Sequence, residues 1–303
     1  MCPSKAETPL KDINRRFDHV LDLGANACNI ARALANPPPT SSYDVVPPPT
    51  TSSSSPEPIA SKIGHLTAAD SSSTLLHRDA TLPFNSSLSI TRTVLDSEES
   101  LPFPANTFDA VLSSLSMHWI NDLPSVLRQI NNSLKPDAPF IAALFGGDSL
   151  FELRTSLQLA DLERRGGVST RTSPLADVRD IGGLLQSAGF KLLTVDVDDI
   201  VVDYPSVFEL MQDLQAMGES NAVLGREGVP IPRNVLLAAD AIYKALHGNE
   251  AAGDGGERTG VPATFRMIYL IGWKEGPGQR APERRGRGQI DMRDVLGDGG
   301  AIG

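Results

Sequence analysis

"VLDLGANACN", residues 20–29, decides how the chain is read. Val20, Leu21 and Leu23 flank an acid, Asp22, and Gly24 follows at once. That order describes a buried strand running into a tight turn and then a helix. In loops of this kind that cradle a nucleotide, each glycine has its own task. The first makes the turn, the second lets backbone approach a ligand, and the third lets helix and strand pack closely. Here Gly24 keeps the first place, Asn26 stands at the second and Cys28 at the third. Asparagine tolerates positive φ better than most residues, and cysteine is small and readily buried. The stretch therefore fits a cofactor loop in geometry though not in letter. Taken alone it fits a strand-turn-helix without a ligand as well.

Outward from this stretch the chain alternates. Strands are expected at 19–24, 63–70, 91–97, 108–115, 139–146, 191–204 and 265–274. Helices are expected at 28–35, 71–78, 123–134, 149–164, 175–188, 206–217 and 233–247. Alternation of this kind gives βαβ units and a mostly parallel α/β sheet with helices on both faces. Ser149 and Glu152 have capping-box spacing, Pro124 suits a first helical turn, and Gly189 suits a helix end. Residues 37–60 hold eight prolines and six serines, the composition of a disordered insertion. The Gly- and Arg-rich tail, 276–303, has the same character. One domain, 1–275, is left, with a helical insertion at 206–247 before the last strand.

The 303 residues carry a formal charge of −10, which argues against a broad electrostatic grip on nucleic acid. No uninterrupted apolar run is long enough to cross a membrane. The two cysteines, Cys2 and Cys28, make neither a zinc site nor a disulfide framework. The N-terminal stretch lacks an apolar core, so it is not a secretory signal. Lys5, Lys11, Arg15 and Arg16 are offset there by Glu7 and Asp12, which also weakens a transit-peptide reading.

Acids close successive strands: Asp22 in the first, Asp70 at the end of the second, and Asp96 and Glu98 after the third. They fall along one edge of a parallel sheet, the edge where open α/β folds bind ligands. Each acid singly could as well cap a helix or start a turn. The spacing from Asp22 to Asp70 exceeds the usual ~20 residues, and the Pro/Ser insertion accounts for most of the excess. With few glycines and an acid at its start, the loop suits an adenosine cofactor without phosphate better than a dinucleotide.

These pieces resemble a class I S-adenosylmethionine-dependent methyltransferase, with a seven-stranded Rossmann-like sheet whose last strand is antiparallel. "VLDLGANAC" is similar to its first motif, "AAD" to its second, and "FDAVLSSLSMHW" to its fourth strand. "FGGDSLFELR", "LMQDLQAMGESN" and "VPATFRMIYLIGWK" narrow the resemblance to the mitochondrial complex I assembly factor 5 family. The bacterial malonyl-carrier-protein methyltransferase is a more distant relative. The resemblance implies S-adenosylmethionine held by Asp22, Gly24, Ala25, Asn26, Asp70, Asp96, Glu98 and Leu115. Asp96 or Glu98 would stand in for an acid that the family tends to carry at Ser97. It also implies a protein partner, a complex I subunit, and hydroxylation of an arginine on it. The implied setting is the mitochondrial matrix, free or peripherally held at the inner membrane. The chain starts close to the first strand, so the helices that precede it in the family, and any presequence, are expected to be missing from a truncated form.

Candidates for chemistry sit at the exit of the fourth strand. His118 could take a proton from a substrate, and the Trp119 indole could cover an apolar or cationic one. The same pair could instead pack the loop against the sheet. His77, Asp79 and a distal His118 or His247 make a weak iron triad, because i and i+2 point apart on a helix. No metal site is expected. Met211, Leu214 and Met217 share a helix face, fit for core packing or for docking a partner. Two functional readings result: an enzyme that modifies a protein side chain, or a non-catalytic assembly chaperone with a vestigial pocket.

Overall fold

A computed structural model describes residues 15–35, 59–223, 230–248 and 260–279. Chain order is β1 (Phe17–Leu23), α1 (Asn29–Ala35), β2 (Ile63–Asp70), α2 (Ser73–Arg78), β3 (Ile90–Val94) and β4 (Ala110–Ser114). Then follow α3 (Leu123–Ser133), β5 (Pro139–Phe145), α4 (Phe151–Arg165), α5 (Val178–Ser187), β6 (Phe190–Tyr204), α6 (Val207–Met217), α7 (Arg233–His247) and β7 (Val261–Lys274). All the elements expected from the sequence are present. The Pro/Ser stretch falls outside the described residues, apart from buried Ile59 and Ala60, which open a short 3-10 turn before β2. The tail from 280 onward also lies outside them.

The seven strands form one sheet in the order β3-β2-β1-β4-β5-β7-β6. β1 to β5 run parallel, and β7 runs antiparallel between β5 and β6. The chain winds outward from β1 in one direction and from β4 in the other. The crevice at the C-terminal ends of β1 and β4 is thus the topological switch point.

Alternation along the strands puts the core on both faces. Leu21, Leu23, Val111, Phe140, Ala142 and Leu144 meet α3 and α5 on one side, through Val126, Leu127, Ile130, Ile181 and Leu185. Val20, Ala110, Leu112 and Ile141 meet Ala31 and Leu34 of α1 and Leu76 of α2 on the other. Further along that second face, Ala143 and Phe145 meet Leu153 and Leu157 of α4, with Leu210 and Leu214 of α6 and Val235 of α7. Every residue of β5 is buried.

Several local expectations shift. The capping box at Ser149 and Glu152 does not form. The helix starts after Leu150, in the left-handed region at φ 54°, and no side chain caps it. Ser149 Oγ instead accepts from Arg266 N at 3.0 Å, and the Glu152 carboxylate accepts from Thr264 N at 3.3 Å and from its hydroxyl. β7 reaches that far because it stays paired with β6 back to Val261, and its backbone competes for both side chains. β3 stops at Val94, and Leu95 N turns to Asp70 O at 2.9 Å. Of the α6 trio, Leu214 is buried, Met211 packs at the core's margin and Met217 is exposed.

Candidate functional site

Three residues of the β1–α1 loop occupy positive φ: Gly24 at 71°, Asn26 at 49° and Cys28 at 57°. These are the three positions at which a glycine-rich loop carries glycine. At Gly24 the constraint is steric as well, because a Cβ would lie 2.1 Å from Ser116 Oγ. Asn26 meets the conformation with a side chain turned to solvent, and Cys28 meets it fully buried. Burial pushes the Cys28 thiol up, and Asp22 and Asp70 add to this against the pull of Arg92. The thiol is therefore packing, not a nucleophile. Gly24 N and Ala25 N both donate to Ala69 O, at 2.9 and 3.1 Å, which ties the loop to β2.

Asp70 takes part in the same tie. Its Oδ2 accepts from Asn26 N at 2.7 Å and its Oδ1 from Ser72 N at 2.8 Å. Asp22 is different. It is fully buried, and neither carboxylate oxygen has a hydrogen-bond partner among the described residues. Burial first, and the charge of Asp70 second, push its pKa up to about 7. Beyond β3, Glu98 accepts from Ser71 Oγ at 2.5 Å, while Asp96 is exposed. Leu115 ends β4 at φ 57° and donates its N–H to Ala143 O at 2.8 Å. The structure thus gathers Asp22, Gly24, Ala25, Asn26 and Asp70 tightly, and sets Glu98 beside the start of α2.

His118 and Trp119 lie on the other side of the switch point, in a 3-10 turn (Met117–Trp119) after β4. Ser116 Oγ anchors that turn to Leu23 O of β1 at 3.3 Å. The turn lines a cavity of about 460 Å³ whose other walls are α4, α6, residues 171–175 and residues 219–223. The His118 side chain is only 3% exposed, and its ring stands edge-on to Phe145 at 5.2 Å between centroids. Its Nε2 lies 3.1 and 3.3 Å from the two carboxylate oxygens of Glu219. An ionised carboxylate only accepts, so Nε2 carries the proton. Nδ1 is buried without a partner among the described residues. The loop acids and glycine do not line this cavity.

Glu219 escaped the sequence reading, although it stands in "AMGESN". The available signal was Gly218, which ends α6 at φ 84° and turns the next residue back. Arg171 and Asp161 also went unnoticed. They form a buried bidentate pair at 2.8 and 3.0 Å behind the cavity wall. Asn121 bonds Glu99 and lines the cavity, and Asp122 caps α3 through Ser125 N. His77 turns its ring back on Ser73 O, and Asp79 bonds Arg78. Among the described residues no three His, Cys, Asp or Glu side chains converge as a metal site.

Residues 51–142 match the family model described as a methyltransferase domain. The arginine-hydroxylase NDUFAF5, mitochondrial, of Danio rerio is 54% identical over 202 residues, covering 67% of this chain and 60% of that relative. A malonyl-[acyl-carrier protein] O-methyltransferase of Halorhodospira halophila is 30% identical over 196 residues, 65% of this chain and 62% of that protein. The chain thus spans about three fifths of the length of these relatives. A Bacillus halodurans C-125 structure assigned as a methyltransferase has the same fold, at TM-score 0.55 and 13% identity, covering 90% of this chain and 98% of that one.

Proposed function

We propose, on the premise that the chain belongs with the arginine-hydroxylases named NDUFAF5 and carries the class I methyltransferase fold, that it binds S-adenosylmethionine and modifies an arginine of a protein. The observation that carries the first half is Asp22. A fully buried carboxylate with two unpartnered oxygens, at the switch point of such a sheet, is satisfied by a cation. S-adenosylmethionine brings two positive charges, on sulfur and on its amino group, and no phosphate. The residues present fit it. Asp22 would face its positive end, the Gly24–Asn26 backbone would approach it closely, and Asp70 keeps unused lone pairs for hydroxyls. Glu98 or Asp96, with Leu115, would border its base. When bound, the cofactor supplies an electrophilic methyl group and a fixed positive charge.

The chain's own residues do the rest. The cavity admits a side chain and sheds water from it. His118 lines the cavity and is held in place by Glu219, with its Nδ1 buried behind the ring. Hydroxylation, the reaction in the relatives' name, inserts oxygen and needs an oxidant besides the cofactor. The setting that the family resemblance supports is the mitochondrion, at the matrix side of the inner membrane, with a complex I subunit as substrate. No described helix is long and apolar enough to cross a membrane. The test is mass spectrometry of an arginine-bearing complex I subunit incubated with the chain, S-adenosylmethionine and an oxidant, dioxygen together with a reductant. A gain of one oxygen atom on arginine supports the reading, a gain of one methylene makes the chain a methyltransferase, and an unchanged subunit contradicts it.

A further inference from the structure

The cavity of about 460 Å³ combines an apolar part, polar side chains that include Arg154 and Arg171, and a single carboxylate among the described residues. Phe145, Leu153, Leu157, Leu214 and Phe265 make the apolar part, and Trp119 adds an indole face. Among the described lining residues Glu219 is the lone carboxylate. The cations of the lining are already engaged. Arg171 holds Asp161 through two bonds, and Arg154 donates to Gly147 O and Ser149 O at 2.8 and 3.1 Å. Glu219, in contrast, has capacity left. Among the described residues its two oxygens share one donor, His118 Nε2, at 3.1 and 3.3 Å, and its side chain is 16% exposed. A carboxylate accepts about four hydrogen bonds.

We propose that Glu219 is the specificity-determining residue of this cavity: it receives the guanidinium of the substrate arginine, whose methylene stem lies along the apolar walls and Trp119. A planar guanidinium presents two parallel N–H donors, the match for a carboxylate with its outer lone pairs unused. An indole face beside it favours the same charge. The inference rests on the arginine reading above and adds the residue that recognises the side chain.

The experiment titrates the full chain with a short blocked peptide carrying one arginine, and with its twin carrying citrulline, which keeps the shape and removes the charge. A third peptide carries glutamate. The wild-type chain is expected to prefer arginine over citrulline about 10- to 100-fold. Glu219→Gln, checked for an unchanged circular dichroism spectrum and Tm, is expected to abolish that preference, and Glu219→Asp to retain part of it. A preference for arginine that survives in Glu219→Gln overturns the role of Glu219 and leaves the arginine reading standing. Equal binding of arginine and citrulline by the wild type overturns both. Tighter binding of the glutamate peptide, lost in Arg154→Gln, overturns the proposal in favour of an anion anchored by Arg154.

Discussion

On the β1 side of the switch point the backbone does the holding; on the β5 side the side chains do. Gly24, Ala25 and Asn26 are fixed by N–H hydrogen bonds to Ala69 O and Asp70, and the left-handed φ values of Gly24, Asn26 and Cys28 leave few alternatives. The cavity is fixed by pairs of long side chains: His118 with Glu219, Arg171 with Asp161, Arg154 with two carbonyls. A backbone-held loop suits a ligand that never varies. A wall of side chains suits a ligand whose recognition must be selective, and it can be altered one residue at a time. The two halves also leave different groups unsatisfied. The loop half leaves a buried acid, Asp22, and the cavity half leaves a buried imidazole nitrogen.

Substitutions can break this contrast in order of size. Asp161→Ala removes the carboxylate partner of Arg171 in a wall where both side chains are buried. It should cost about 3–5 kcal/mol in urea unfolding, because breaking a buried ion pair leaves the remaining charge poorly compensated. Although burial pulls the Asp161 carboxyl upward, Arg171 holds it below the ordinary range. Its contribution is therefore present above about pH 4 and fades as pH falls through the lowered folded value. Gly24→Ala attacks the other half. The new methyl meets Ser116 and the φ of 71° penalises any side chain. A loss of about 2–4 kcal/mol is expected, with loss of cofactor binding, where a neutral result would show the loop to be slack.

Asp22 sharpens the contrast through pH. Its folded pKa, about 7, lies above the unfolded 3.8, so the folded chain binds the extra proton between them. Stability should then fall as pH rises from about 4 to 7, by at most ~1.4 kcal/mol per unit, and level off above. Asp22→Asn should flatten that slope in urea unfolding, and saturating S-adenosylmethionine should flatten it in the wild type by satisfying the charge. The smallest effect is His118→Gln. Glu219 is partly exposed and can turn to water, so the unfolding free energy in urea should fall by less than about 1 kcal/mol. A larger loss would make the pair a fold element instead of a recognition element.

Much of the fold was legible in the sequence because the central strands β4 and β5 are buried on both faces and read as apolar runs. "PFIAALF" is one such run, and it could hardly be anything else. The loop was legible through the φ tolerance of Asn26 and the size of Cys28. The cavity was not. Glu219 and His118 lie 101 residues apart in the chain, and no local pattern links them. The capping box misled because a local signal, Ser149 and Glu152, lost to the distant backbone of β7. Local rules place elements; partners brought in by the sheet decide what the polar side chains do.

The central claim, that the degenerate loop is a working cofactor site centred on Asp22, is tested most directly by calorimetric titration with S-adenosylmethionine. The wild-type chain should bind it saturably, and Asp22→Asn should bind it at least about 10-fold more weakly. No binding by the wild type, or equal affinity in both, would contradict the account.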